Sequence, residues 1–284
     1  MRTKRLGHLD IDESRLSKEL ERSIRFTYAE QYAEFQCGLP WKTCMLWSRG
    51  GDIGDGVIAR HDTSQPSQAT VFGEQLPYLR QVVEESFAIE HLLFGRLVVM
   101  SDNVLVPHRD FVEFTERSAD DRATHRLHVP LSTSPDCLFM EDNTIYRMPF
   151  SDVWSLDVTR MHSAGVLSDF RRVHLILDFA DTVSWRDLLK FDVQASDDIP
   201  VEHTIARPPL SDEERAAVLD LAGVVDLDNL TQVFGIVIKK QYRRDGGAKF
   251  VWDTIEEIGR RSGDPSVSAR IDELFKHCML ERDE

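Results

Sequence analysis

Polar and apolar residues alternate through Arg126-Leu127-His128-Val129-Pro130-Leu131. A period of two belongs to a β-strand and puts Arg126 and His128 on the same face. Four further short runs lie around it, at residues 96–100, 104–107, 153–156 and 173–179. Clusters of Asp, Asn, Ser, Pro and Gly separate them. Several strands with no helical pattern between them predict a sandwich or barrel rather than a βαβ unit.

Helical patterns flank this middle. Leu16, Leu20, Ile24, Tyr28 and Tyr32 recur every fourth residue, which predicts one apolar helix face across residues 12–35. Pro77 suits the first turn of a second helix carrying Leu79, Val82, Val83 and Phe87. Past Arg207-Pro208-Pro209 the pattern is helical again. Ser211 with Glu214 fits a capping box leading into Ala216, Val218, Leu219 and Leu221. Asp264-Pro265 fits an N-cap with proline at the first helical position, and residues 230–242, 250–260 and 267–280 are further helix candidates. The double proline divides the chain into a core at 1–206 and a helical part at 207–284, read either as a subdomain or as helices packed on the barrel.

The 284 residues are 42% hydrophobic and 29% charged, ordinary values that exclude a disordered or fibrous chain. With 34 basic and 49 acidic residues the formal net charge is −15, which argues against nucleic-acid or anionic-lipid partners. No apolar run approaches the ~20 residues needed to cross a bilayer. Met1 to Ile11 has no signal-peptide core, and Cys37, Cys44, Cys137 and Cys278 lack paired metal-ligand spacing, so free thiols and a cytoplasmic location are expected. The assembly state stays open, a homodimer among the options.

Three features in the β-rich middle carry chemistry. In Val106-Pro107-His108-Arg109-Asp110-Phe111, strand alternation would project His108 and Asp110 together. His162 follows 54 residues after His108, enough chain to cross a barrel and return. Two histidines and one carboxylate with open positions make the facial triad of non-haem Fe(II) oxygenases. Arg172, ten residues after His162, opens a strand and has the geometry to clamp a carboxylate. Each piece alone is weak. His108 also reads as a surface histidine, His162 as part of a polar turn and Arg172 as a surface residue beside Arg171. Their order and spacing on strands is the signal. Arg126, if it faces inward, is a buried cation that needs an anion, supplied by a substrate or by a carboxylate such as Glu113 or Glu141. Arg96 raises the same question, and His174 lies on the side of Arg172, in reach of a supporting role.

Several stretches resemble the proline cis-hydroxylases, which are related to the aspartyl/asparaginyl hydroxylases. They are Tyr32-Ala33-Glu34-Phe35-Gln36-Cys37-Gly38, Cys44-Met45-Leu46, Leu76-Pro77-Tyr78-Leu79, Val106-Pro107-His108-Arg109-Asp110, Arg126-Leu127-His128 and His162-Ser163-Ala164-Gly165. Arg172-Val173-His174-Leu175 and Asp178 continue the match, which runs over most of the chain and leans toward the cis-4 type. The resemblance implies a mainly β fold with flanking helices, a double-stranded β-helix jelly roll with a C-terminal helical part. It implies His108, Asp110 and His162 as iron ligands and Arg172 as partner of the distal carboxylate of 2-oxoglutarate. Arg126, with Arg96 near it, would hold the carboxylate of a small amino-acid substrate. The chain departs from that pattern at Trp47, at the acidic residues 116–121 and at Phe139, and Trp47 is a candidate for reading substrate shape.

The activity implied is hydroxylation of a free amino acid, most simply an L-imino acid such as proline or pipecolate. Fe(II), 2-oxoglutarate and O2 would be required, with ascorbate as reductant in vitro, and succinate and CO2 released. Rival readings are a hydroxylase of a non-cyclic, peptide or carrier-tethered residue, a non-catalytic jelly-roll binding protein and a zinc hydrolase. An intact His108, Asp110 and His162 disfavours the binding protein, and Arg172 has no evident role in the hydrolase.

Overall fold

The first strand of the barrel pairs with its last, the second with the second-last, and so on inward. In chain order the strands are β1 (Lys4–His8), β2 (Ala29–Glu30), β3 (Lys42–Arg49), β4 (Ser67–Ala69), β5 (Leu92–Met100), β6 (Asn103–Val104), β7 (Ala123–Ser132), β8 (Cys137–Glu141), β9 (Thr144–Tyr146), β10 (Asp152–Leu156), β11 (His162–Val166) and β12 (Arg172–Ala180). The pairs β5–β12, β6–β11, β7–β10 and β8–β9 are all antiparallel. A long hairpin wound on itself in this way is a double-stranded β-helix, or jelly roll. The computed structural model describes residues 3–30, 36–56, 65–110, 123–180, 183–184, 186–193 and 201–280.

The larger sheet runs β1-β10-β7-β12-β5-β3-β2, with β4 on β3; the smaller runs β6-β11-β8-β9. Alternation along the central strands divides two environments. Leu97, Leu127, Val129, Val173, Leu175 and Leu177 join the apolar core on the outer face of the larger sheet. Arg96, Arg126, His128, Arg172, His174 and Asp178 take the alternate positions and line the barrel interior, all of them buried.

Helices α1 (Glu13–Ser23) and α2 (Pro77–Ser86) supply Leu16, Tyr78, Leu79, Val82 and Val83 to that outer core. The single long helix expected over 12–35 ends at Ser23, and Ile24 is 62% exposed. A four-residue repeat gains about 40° per step on a helix of 3.6 residues per turn, so its stripe rotates off the core. Tyr32 lies outside the described residues. Where the helix stops, Phe26 turns back onto Phe72, with ring centroids 5.0 Å apart. Glu19 is buried and accepts from the Tyr78 and Leu79 backbone amides at 2.8 and 2.9 Å. Its carboxylate thus fills the positive end of α2, immediately after Pro77.

Beyond residue 206 come α3 (Asp212–Leu219), α4 (Leu230–Arg243), α5 (Phe250–Ser262) and α6 (Pro265–Phe275), followed by a π-type turn at Lys276–Leu280. The Ser211–Glu214 capping box and the Asp264 cap with Pro265 form as the sequence predicts. Val237, Ile238, Tyr242, Trp252 and Ile255 share one core with Val104, Val106, Leu138, Met140 and Ile145 of the smaller sheet and its flank. The helices are therefore packed on the barrel. No helix among the described residues is long and apolar enough to cross a membrane.

Glu19→Ala is expected to lower stability by about 2 kcal/mol in chemical denaturation, because two buried N–H groups lose a charged acceptor. Unchanged stability would show that the α2 terminus is satisfied in another way.

Candidate active site

Strict alternation does not carry His108 inward. Val104 and Val106 both face the helical core. Gly165 pairs with Val104, yet His162 pairs with His108, so three steps along β11 are matched by four on the other segment. This extra residue is a β-bulge, and bulges near active sites re-aim side chains. Pro107, which has no N–H to give a ladder, lies within it. His108 and His162 then exchange backbone hydrogen bonds of 3.0 and 2.9 Å. The strand expected over 104–107 is thus broken, and His108 sits on an isolated bridge.

The bulge brings together the three residues that the sequence singled out. His108, Asp110 and His162 each offer a ligand atom, and these atoms lie within 4.8 Å of one another. His108 Nε2 is 3.4 Å and His162 Nε2 is 3.8 Å from Asp110 Oδ1. Each imidazole turns Nδ1 to the backbone carbonyl two residues before it: Val106 O at 2.7 Å and Arg160 O at 2.9 Å. Donation from Nδ1 fixes the tautomer and leaves both Nε2 lone pairs directed at one point. Burial, then the nearby His108, pushes the His162 pKa down to about 4 against the pull of Asp110, so the ring is neutral at pH 7. Burial opposes ionisation of Asp110, but the adjoining His108 and His162 rings and the Arg126 guanidinium hold its carboxyl well below the usual range. Two imidazoles that turn Nε2 toward one carboxylate make a donor set that suits a divalent cation.

Behind the cluster lies a buried charge network. Asp178, 0% exposed, accepts from Arg126 Nε at 2.7 Å and from Arg96 Nη2 at 3.2 Å. Arg126 Nη1 also donates to Asp110 Oδ2. The anion expected for Arg126 is therefore Asp178 together with Asp110. Glu141 instead accepts from the Thr3 amide and hydroxyl at 3.0 and 2.6 Å, and Glu113 lies outside the described residues. The reason is register: Asp178 is the direct cross-strand partner of Arg126. Within its own strand Asp178 shows no link to Arg126.

Arg172 is different. It is 4% exposed and donates to the His174 ring, with Nε 3.1 Å from Nε2, while Nη1 lies 3.9 Å from Met100 Sδ. Among the described residues no carboxylate pairs with it. Burial alone lowers its pKa. His174 and His128, 5.8 Å apart, are driven to the neutral form, by burial first and the surrounding arginines second. Among the described residues His128 Nδ1 is buried with no hydrogen-bond partner, an orphan that pattern alone could not reveal. Phe139 stacks on His162 at 5.9 Å, beside the cluster.

Trp47 is not brought to the site. It is 1% exposed in the outer core, packed over Gly95, where a Cβ would meet its ring at 3.1 Å. A bulge between Met45 and Trp47 in β3 turns the indole to that side.

A family model for aspartyl/asparaginyl β-hydroxylases matches residues 10–182 of this chain. The chain belongs to that family. A second model, the C-terminal part of L-proline 3-hydroxylase, matches residues 187–284. An L-proline cis-4-hydroxylase of Rhizobium meliloti (strain 1021) is 29% identical over 99% of this chain and 95% of its own length. L-proline cis-3-hydroxylase 1 of Streptomyces sp. is 29% identical over 96% of this chain and 93% of its own. Among solved structures, a 2OG-Fe(II) oxygenase family oxidoreductase from Burkholderia pseudomallei superposes with a TM-score of 0.36 at 10% identity, covering 58% of this chain and 78% of that one. As a β-hydroxylase family member the chain is an enzyme, a 2-oxoglutarate-dependent dioxygenase, and its His-Asp-His cluster fits the iron of that class.

Asp178→Asn would leave Arg96 and Arg126 without their shared anion. A loss of about 3 kcal/mol or more in stability is expected, as for a broken buried ion pair. A near-wild-type melting temperature would mean the two guanidinium groups find other partners.

Proposed function

We propose that this dioxygenase hydroxylates a small free amino acid, an L-imino acid such as proline or pipecolate, and releases the hydroxy amino acid, succinate and CO2. The observation that carries the reading is Arg172, a buried cation with no carboxylate partner among the described residues, inside the same barrel as His108, Asp110 and His162. An unpaired buried guanidinium is costly, so an anion in the working complex is expected there, and the distal carboxylate of 2-oxoglutarate suits it. The names of the two relatives, matched along nearly the whole chain, support an imino-acid substrate.

In this reading His108, His162 and Asp110 hold Fe(II) through two Nε2 atoms and one carboxylate. The iron, with 2-oxoglutarate and O2, supplies the oxidising power that places one oxygen atom in a C–H bond. The chain supplies orientation. The Val106 and Arg160 carbonyls fix the imidazole tautomers, and Arg126 holds Asp110 Oδ2 so that Oδ1 faces the two rings. Arg126 and Arg96, their charge balanced by Asp178 and Asp110, would offer N–H donors to the substrate carboxylate. Phe139 covers one face of His162 and keeps water from it. Because Asp178 and Asp110 already meet Arg126, a carrier-tethered residue with no free carboxylate is the second reading.

An amino-acid panel with Fe(II), 2-oxoglutarate and ascorbate, read by mass spectrometry, tests the proposal. L-proline or L-pipecolate is expected to gain one oxygen atom with matching succinate, and the carboxamides are expected to be poor substrates. Amides turned over as well as the acids would favour the tethered reading, and no succinate above background with any free imino acid would sink the first. Arg172→Ala is expected to raise the 2-oxoglutarate requirement about ten- to a hundredfold, the worth of a charge-assisted contact. An unchanged requirement would assign the distal carboxylate to another residue.

A further inference from the structure

The bulge that aims His108 disturbs the β6–β11 ladder, and its carbonyls need donors from elsewhere. One comes from the C-terminal helices. Trp252 of α5 donates its indole Nε1–H to Pro107 O at 3.1 Å, on the residue immediately before His108. Its ring is held edge-on by Phe234 at 5.5 Å and Phe275 at 5.1 Å. A second contact falls between two ligand positions: the Arg109 amide donates to Cys278 O, in the terminal π-type turn, at 3.0 Å. The third is beside His162. Ser163 donates its hydroxyl to Leu105 O at 2.7 Å, so the Tyr242 hydroxyl of α4, 3.0 Å away, donates to Ser163 Oγ. Gly165 makes room for that tyrosine, since a Cβ there would lie 2.9 Å from the ring.

The helical region thus places one hydrogen bond on a residue adjacent to each of the three ligand positions. From this geometry we infer that the C-terminal helices are part of the metal site's scaffold, with Trp252 and Tyr242 as positioning residues for His108 and His162. This rests on the reading of His108, Asp110 and His162 as the metal ligands. Neither aromatic residue touches the metal position; each acts through the backbone or hydroxyl next to a ligand. Loosening that support spreads the Nε2 atoms and weakens metal binding before it unfolds the barrel.

The test is titration of the metal-free full chain with cobalt(II) alone, followed by ligand-field absorption, with the melting temperature of each variant measured alongside. Trp252→Phe keeps an aromatic ring but removes the donor, and Tyr242→Phe removes only a hydroxyl. Each is expected to weaken cobalt(II) binding about three- to tenfold, in line with loss of an outer hydrogen bond at a metal site. Ile258→Val trims the same helical core without removing a hydrogen bond to the ligand segments, and is expected to lower the melting temperature while leaving cobalt(II) affinity unchanged. Wild-type affinity in both aromatic variants, or an equal loss in Ile258→Val, overturns the inference. His108→Ala separates the two layers of argument. If it abolishes binding while the aromatic variants bind normally, only the scaffold role is wrong; if it binds like the wild type, the ligand reading falls and the inference with it.

Discussion

A guanidinium group stripped of water needs an anion, and among the described residues the barrel interior contains three of them: Arg96, Arg126 and Arg172. Asp178 meets the first two, and Arg126 passes the constraint on to Asp110, so the carboxylate beside the histidines is held by the same network that lets the barrel close. Neutral imidazoles at His128, His162 and His174 keep the positive charge from rising further. Among the described residues Arg172 is left with no carboxylate partner, in a chain whose overall charge is −15. The acidic surface and the basic interior are separate properties, and only the second bears on the chemistry.

The second constraint is geometric. Jelly-roll strands deliver side chains alternately inward and outward, and the chain needs His108 inward from a segment whose valines point out. One inserted residue achieves the reversal, at the cost of local ladder hydrogen bonds. The helices beyond residue 206 fill that deficit. The division of the chain into core and tail is therefore visible in sequence composition, while the core of the tail and that of the smaller sheet are continuous.

Much of this was legible in the sequence. Residues 126–131 and 173–179 announce their strands by alternation, because each has one apolar face and one polar face. His108, Asp110 and the distant His162 bring ligand atoms within 4.8 Å of one another, and Arg172 is buried. Other elements were not legible, for physical reasons. β8 is buried along its whole length, so it shows no alternation. β11 reads as a turn, since Ser163, Ala164 and Gly165 are small; its alternation emerges only once His162 and Ala164 face in while Ser163 and Gly165 face Tyr242. Trp47 looked like a specificity residue until a bulge and a facing glycine turned it to the outer core. Asp178 needed register: a carboxylate is identified as the partner of Arg126 only when the two strands are known to be neighbours.

The place of β12 has a consequence for how the chain comes into being. This strand is made last of the eight in the roll, yet it lies between β5 and β7 at the centre of the larger sheet. It brings Arg172, His174 and Asp178 with it. While the ribosome is still translating the middle of the chain, β5 and β7 have no common neighbour, and Arg96 and Arg126 have no Asp178 to share. Such first-to-last pairing is slow because the long loop must close before its contacts reward it. Until that closure the emerging chain exposes two strand edges and two unsatisfied arginines, the state in which it is most open to mispairing.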